Sequence, residues 1–323
     1  MRPYAPLVES GHWLTILSNF WPRPLDTISF PAIDTVYRTE PDVRVLVREH
    51  HPAGQPKGEI ILVHGLEGSS ESGYMRSFAH YGALAGWRVH RTNIRTCGTT
   101  ENWCKTLYHA GLTTDIKHIA RTLAKQSKGP IFIIGYSLGG NQVLNSAAEL
   151  SVESPGLLAG ACVVSTPIQL DLCAKKIEEP ANYVYMTRFL TSMKKRLRRR
   201  AAAMPGVFSL DGLDSARTIY EIDDKITAPN FGLGTADNYY ATQSSAQYLD
   251  RVTAPVLMIA AEDDPIVPIA CYDHPVWQSN RNVQLMKLRR GGHVSFLARN
   301  NPRFWLDHAL LDWIESKTTS SNS

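Results

Sequence analysis

The chain has too few cysteines for a covalent framework, no apolar run long enough to cross a bilayer, and no strong excess of charge of either sign. Its five cysteines, Cys97, Cys104, Cys162, Cys173 and Cys271, are odd in number, spread over 323 residues, and never in C-x-x-C spacing. That pattern argues against a disulfide scaffold or a structural zinc site and fits reduced thiols in a cytoplasmic protein. No window approaches the roughly 18 continuous apolar residues of a membrane span. The N-terminus, MRPYAPLVESGHWLTILSNFWPRPL, breaks its apolar stretch with polar residues and shows no small-x-small cleavage site, so no signal peptide is read there. With 34 basic and 30 acidic residues, the net charge of +4 gives no ground for a nucleic-acid partner. What remains is a chain that is 43% hydrophobic and 20% charged, ample for one large packed core and unlike a disordered chain.

The hydrophobic pattern alternates between strand and helix. Val43, Val45 and Val47 recur at period two among polar neighbours, as in a strand with one wet face. Glu59 to Val63, Pro130 to Ile134, Gly160 to Ser165 and Pro255 to Ala260 are short apolar runs that read as buried parallel strands. Trp87 to Thr92 and Asn282 to Leu288 complete the set. Helical patterns cover Ser72 to Ala85, Leu112 to Lys125, Leu138 to Leu150 and about Pro302 to Ser316. Such alternation predicts an α/β fold: a mostly parallel central sheet flanked by helices on both faces. About 1–40 reads as an N-terminal extension of a single domain spanning 1–323. From about 170 to 250 no buried strand is evident, which predicts a helical cap or lid insert over the sheet's C-terminal edge, where open α/β sheets bind ligands. Thr318 to Ser323 is a short polar tail.

Gly135-Tyr136-Ser137-Leu138-Gly139 is a G-x-S-x-G motif between an apolar strand and a helix. That context marks a strained strand-to-helix turn that lifts the serine hydroxyl clear of the sheet, with small residues two places on either side. A serine hydroxyl needs a base, and in this arrangement acid and base follow in the order Ser, Asp, His. The strand to Ala260 runs into Ala261-Glu262-Asp263-Asp264-Pro265-Ile266-Val267-Pro268. Asp264 is the favoured acid on its D-x-x-V-P spacing, with Asp263 and Glu262 as competitors. The next strand ends in Arg289-Arg290-Gly291-Gly292-His293, whose glycines let the loop fold back and bring His293 to the serine. The expected roles are nucleophile for Ser137, base for His293 and orienting acid for Asp264.

An acyl-transfer intermediate carries an oxyanion that backbone N–H groups stabilise. The expected donors are Leu138, directly after the nucleophile, and Leu66, in the loop His64-Gly65-Leu66-Glu67-Gly68 after the strand ending at Val63. His64 is read as a brace for that loop rather than a proton shuttle.

With these segments assembled, the chain resembles the YheT-like branch of the α/β-hydrolases, which includes relatives of mammalian α/β-hydrolase-domain lipases and of yeast ethanol acyltransferases. The resemblance rests on Gly11-His12-Trp13-Leu14-Thr15-Ile16, Leu66-Glu67-Gly68-Ser69-Ser70, Asn93-Ile94-Arg95-Thr96-Cys97-Gly98 and Tyr108-His109-Ala110-Gly111, besides the three segments above. It implies the α/β-hydrolase fold, hydrolysis of carboxylic or lipid esters, and Ser137, Asp264 and His293 as the triad. The expected reaction passes through an acyl-serine and requires no metal or organic cofactor. Two alternatives share the sequence: an acyltransferase that uses an alcohol in place of water, and a catalytically silent binding protein of the same fold.

Other features carry less. Arg95, Tyr108, His109 and Asp115 fall near the second strand and helix, and Tyr108 and His109 are read mainly as loop supports, with the acyl-pocket wall as the alternative. Tyr183, Tyr185, Met186, Phe189 and Leu190 are either an apolar pocket wall or the insert's own core. The basic tract Lys194 to Arg200 is read as a solvated helix face, with peripheral contact to anionic lipid headgroups as a second reading. Nothing in the sequence specifies an oligomeric state.

Overall fold

The computed structural model describes residues 3–319; residues 1–2 and 320–323, the latter in the polar tail read from Thr318 to Ser323, lie outside the described residues. Helix α1 (Gly11–Phe20) precedes strands β1 (Ile33–Glu40), β2 (Val43–His50) and β3 (Glu59–Val63). Then come α2 (Gly73–Leu84), β4 (Arg88–Thr92), α3 (Thr114–Gln126), β5 (Ile131–Tyr136), α4 (Leu138–Glu153) and β6 (Gly160–Val164). A long helical segment follows: α5 (Leu170–Ile177), α6 (Tyr183–Ala203), α7 (Ile219–Ile222), a π-helical stretch Asp223–Thr227, α8 (Ala228–Asn230) and α9 (Ala236–Gln243). The chain ends in β7 (Val256–Ala261), α10 (Val276–Ser279), β8 (Val283–Leu288) and α11 (Trp305–Thr319).

The eight strands form one sheet in the order β1-β2-β4-β3-β5-β6-β7-β8. The two pairings of β2 are antiparallel and the remaining five are parallel. The expected α/β fold with its mostly parallel sheet is therefore present.

Strand periodicity divides the core in two. Ile60 and Leu62 of β3 and Phe132 and Ile134 of β5 pack with Met75 and Phe78 of α2 and Leu310 and Ile314 of α11. Their neighbours Ile61, Val63, Ile131 and Ile133 face the other way, toward Ile119 and Leu123 of α3 and Val143 and Leu144 of α4. Both faces are covered, which is why the central strands read as unbroken apolar runs. β1 lies within the N-terminal 40 residues. Of its side chains only Tyr37 and Thr39 are buried, as befits an edge strand.

Strand order reverses about β3, which has β4 on one side and β5 on the other. In such sheets that reversal opens a crevice at the carboxyl ends of the strands. Val63 is in register with Gly135, so the loop after β3 and the turn after β5 lie side by side. β7 and β8 run parallel with them, so the loops holding Asp264 and His293 open at the same edge.

Candidate active site

Ser137 occupies the turn between β5 and α4 with φ 52° and ψ −126°, a conformation costing a non-glycine residue about 1–3 kcal/mol. The turn is tight because backbone crosses backbone. A Cβ on Gly139 would lie 2.2 Å from the His64 carbonyl oxygen, and one on Gly135 would lie 2.5 Å from Gly140 Cα. Other positive-φ residues gather in the same loops: Glu67 after β3, Ser165 after β6 and Val294 after β8. A β-branched valine at φ 57° is an outlier, and here its N–H donates to Ser165 Oγ at 3.1 Å.

His293 Nδ1 lies 3.1 and 3.0 Å from the two carboxylate oxygens of Asp264, and Nε2 lies 2.9 Å from Ser137 Oγ. With the ring proton on Nδ1 and donated to the carboxylate, Nε2 is left to accept the serine hydroxyl. Asp264 is buried and is fixed by the N–H groups of Ile266 and Val267, which donate to Oδ1 at 2.8 and 3.0 Å. The competing acids sit elsewhere. Asp263 Oδ1 accepts from the N–H groups of Gly291 and Gly292 at 2.8 and 3.0 Å, and Glu262 is exposed.

The N-terminal segment has a part here that sequence reasoning missed. Thr15 Oγ1 on α1 accepts the His293 N–H at 2.8 Å, and the Leu14 carbonyl accepts from Ser295 Oγ at 2.7 Å. Gly11 packs on Asp263, where a Cβ would come within 1.8 Å of its carbonyl oxygen. These partners are more than 250 residues apart in the chain, so no local pattern announces them.

Leu66 lies in the loop after β3 and its N–H has no acceptor among the described residues. Leu138 is the first residue of α4, so its N–H has no intrahelical partner. The loop between them is braced on three sides. His64 Nε2 accepts the Ile94 N–H at 3.0 Å, leaving Nδ1 to donate to the Gly65 carbonyl at 2.8 Å. Burial pushes that imidazole down to about 4, so it is neutral. Tyr74 Oη accepts the Gly65 N–H at 3.0 Å. Glu67 accepts from Arg196 Nε at 2.7 Å, Ser192 Oγ at 3.0 Å and Tyr108 Oη at 3.2 Å.

Two spaces meet at Ser137. The first, about 110 Å³, is apolar, walled by Leu170, Ile177, Phe189, Met193 and Ile219, with Tyr108 and His109 also in its lining. Asp223 lies in this wall, pushed up to about 6 by burial, its Oδ2 accepting from Tyr240 Oη at 2.8 Å. The second, about 600 Å³, is a polar cleft that holds His293. Phe189 lines both spaces and Tyr185 only the cleft, whereas Tyr183 is exposed.

One expectation needs revision. The tract Lys194 to Arg200 is a solvated cationic face only in part: Lys195, Arg198 and Arg199 are exposed. Arg196 and Arg200 are buried, and Arg200 donates to the carbonyls of Glu101, Cys104 and Thr106. Lys194 donates to Ala216, Arg198 pairs with Asp214 and Arg199 with Glu101. Arg196 and Arg200 are thus spent inside the molecule, whereas Lys195, Arg198 and Arg199 stay at its surface. Arg95 and Asp115 form a two-pronged pair at 2.8 and 2.7 Å.

The sequence profile described as alpha/beta hydrolase fold matches residues 59–299, and the chain belongs to that family. Within it the chain falls in the YheT-like branch. It is 32% identical over 275 residues to the Escherichia coli K12 protein provisionally designated esterase YheT, across 82% of this chain and 79% of that one. It is 27% identical to mouse phospholipase ABHD3, across 76% of this chain and 59% of that one. Among solved structures, Pyrococcus furiosus esterase Pf2001 superposes with a TM-score of 0.59 at 17% identity, covering 91% of this chain and 98% of that one. This last likeness is one of fold. No described helix is long and apolar enough to cross a membrane.

Proposed function

We propose that the chain is a serine hydrolase of carboxylic esters, with about 170–250 acting as a cap on a single domain spanning 1–323. The observation that carries this reading is the 2.9 Å contact between Ser137 Oγ and His293 Nε2 on an imidazole held by Asp264. His293 takes the hydroxyl proton as Ser137 Oγ attacks the ester carbonyl. Asp264 stabilises the imidazolium, and the oxyanion is received by the N–H groups of Leu66 and Leu138. The imidazolium returns its proton to the departing alkoxide, leaving an acyl-serine. Water, deprotonated by His293, then adds to the acyl carbon, and Ser137 departs with its proton restored. That the named relatives include an esterase and a phospholipase supports an ester as substrate.

The test is hydrolysis of p-nitrophenyl butyrate by the native protein and by Ser137→Ala. Turnover by the native chain with a loss of roughly 10⁴-fold or more in the variant supports the reading. Equal turnover by both overturns it.

A further inference from the structure

The polar cleft beside Ser137 holds cations that make no direct ion pair. Arg23, Arg76 and Arg188 line it, and none of their side chains makes a hydrogen bond or ion pair among the described residues. The Nε atoms of Arg23 and Arg76 are fully enclosed without an acceptor. Arg23 lies over the Phe304 ring at 5.1 Å, and burial works against its charge. Asp307 favours the Arg23 charge from a distance but forms no ion pair with it, its Oδ2 accepting from Ser77 Oγ. An enclosed N–H with no acceptor is costly unless something in the cleft supplies one.

The cleft's own acids do not. Glu67 is taken by Arg196 at 2.7 Å. Glu71 is taken by Arg48 at 2.6 Å and Arg91 at 2.8 Å. Those three arginines lie outside the cleft lining, so its acids are neutralised from behind and its own cations are left over. The first turn of α2 adds to the imbalance. Ser72, Gly73 and Tyr74 line the same cleft, and Ser72 makes no side-chain cap, its Oγ accepting the Ser69 N–H instead. An uncapped helix start is electropositive.

The two spaces are not equivalent to the reaction. His293 lines the polar cleft and not the apolar pocket. The leaving oxygen must receive its proton from His293, so the alcohol half of the ester lies on that side and the acyl chain enters the apolar pocket.

We propose that the alcohol half of the substrate carries a phosphate group, seated between Arg23, Arg76, Arg188 and the first turn of α2. This assignment rests on the reading of Ser137 as nucleophile. Three guanidinium groups and a helix start suit a doubly charged tetrahedral anion, which accepts several forked donors at once. The bond that breaks is the acyl C–O bond. The acyl group passes to Ser137 Oγ, the alkoxide takes the proton from His293, and the phosphate leaves still attached to its alcohol.

The test compares kcat/KM for 1-butyrylglycerol and 1-butyrylglycerol 3-phosphate. The phosphorylated ester should be preferred about tenfold or more, and Arg76→Met or Arg188→Met should each cut that preference severalfold. Arg188 is exposed, so loss of folding does not confound its variant. Inorganic phosphate, added during hydrolysis of the neutral ester, separates a substrate subsite from a site for the free anion. Weak competitive inhibition together with a strong ester preference supports the proposal. Inhibition with no ester preference overturns it, as does a preference that survives both variants. If Ser137→Ala still hydrolyses the neutral ester, the nucleophile reading has failed. If that variant is inactive and the native ester ratio is one or below, only the phosphate assignment has failed.

Discussion

Arg196 on α6 and Glu67 in the loop after β3 form a buried ion pair, Nε to Oε1 2.7 Å, and Arg196 also lies over the Tyr108 ring at 4.7 Å. The pair ties the helical segment between β6 and β7 to the loop that carries the Leu66 N–H. Its function is geometric: it fixes the backbone of a strained loop, in which Glu67 has φ 55°.

Removing one partner leaves the other charged and enclosed, which costs about 3–5 kcal/mol. Arg196→Met should therefore lower the melting temperature and reduce kcat. The double variant Arg196→Met with Glu67→Gln should recover part of the stability, because no unpaired charge remains. Thermal unfolding and steady-state kinetics on both variants check this. A single variant as stable and active as the native chain would show that the clamp does nothing.

The two adjacent acids should separate in kinetics. Asp264→Asn should lower kcat by roughly 10³–10⁴-fold, since the imidazole loses the partner that fixes its tautomer. Asp263→Ala removes the acceptor for the Gly291 and Gly292 N–H groups and should act more weakly, by loosening the loop that positions His293. Reversal of that order would move the orienting role to Asp263.

Asp223 gives a stability prediction with a definite sign. Its folded pKa is about 6 against an ordinary 3.8, so between these values the folded state holds a proton that the unfolded state releases. Its favourable contribution is full below pH 3.8 and is lost as pH rises through about 6. Asp223→Asn should thus gain on the native protein by about 3 kcal/mol between pH 3.5 and pH 7. Denaturant unfolding at the two pH values measures it, and a pH-independent difference would contradict it.

The apolar pocket limits the acyl chain. Its apolar walls enclose about 110 Å³, which suits a short or medium chain better than a long one. Rates across p-nitrophenyl esters should peak at or below about ten carbons, and Met193→Trp should move the peak to shorter chains. Rates still climbing at sixteen carbons would mean that the chain lies elsewhere.

Legibility in the sequence followed physical locality. β3 has the bounds Glu59–Val63 that its apolar run predicts, and the G-x-S-x-G motif falls at the junction of β5 and α4. Both are short-range signals in a buried sheet. β1 was hidden because an edge strand with two buried side chains carries little hydrophobic period. The contact of Thr15 with His293 joins distant segments, and only folding makes it visible. The basic tract misled for a different reason. As a string it looks uniformly charged, but on α6 Met193, Arg196, Leu197 and Arg200 share the buried face while Arg198 and Arg199 face outward. The D-x-x-V-P spacing favours Asp264 but leaves Asp263, its neighbour on one turn, as a competitor. Their hydrogen-bond partners distinguish them.

The central claim is that the hydroxyl at Ser137 is made nucleophilic by His293. A fluorophosphonate probe followed by peptide mapping tests it most directly. The account predicts a single adduct on Ser137, strongly slowed in His293→Ala and absent in Ser137→Ala. An unlabelled native protein, or a native and a Ser137→Ala protein labelled alike, would contradict it.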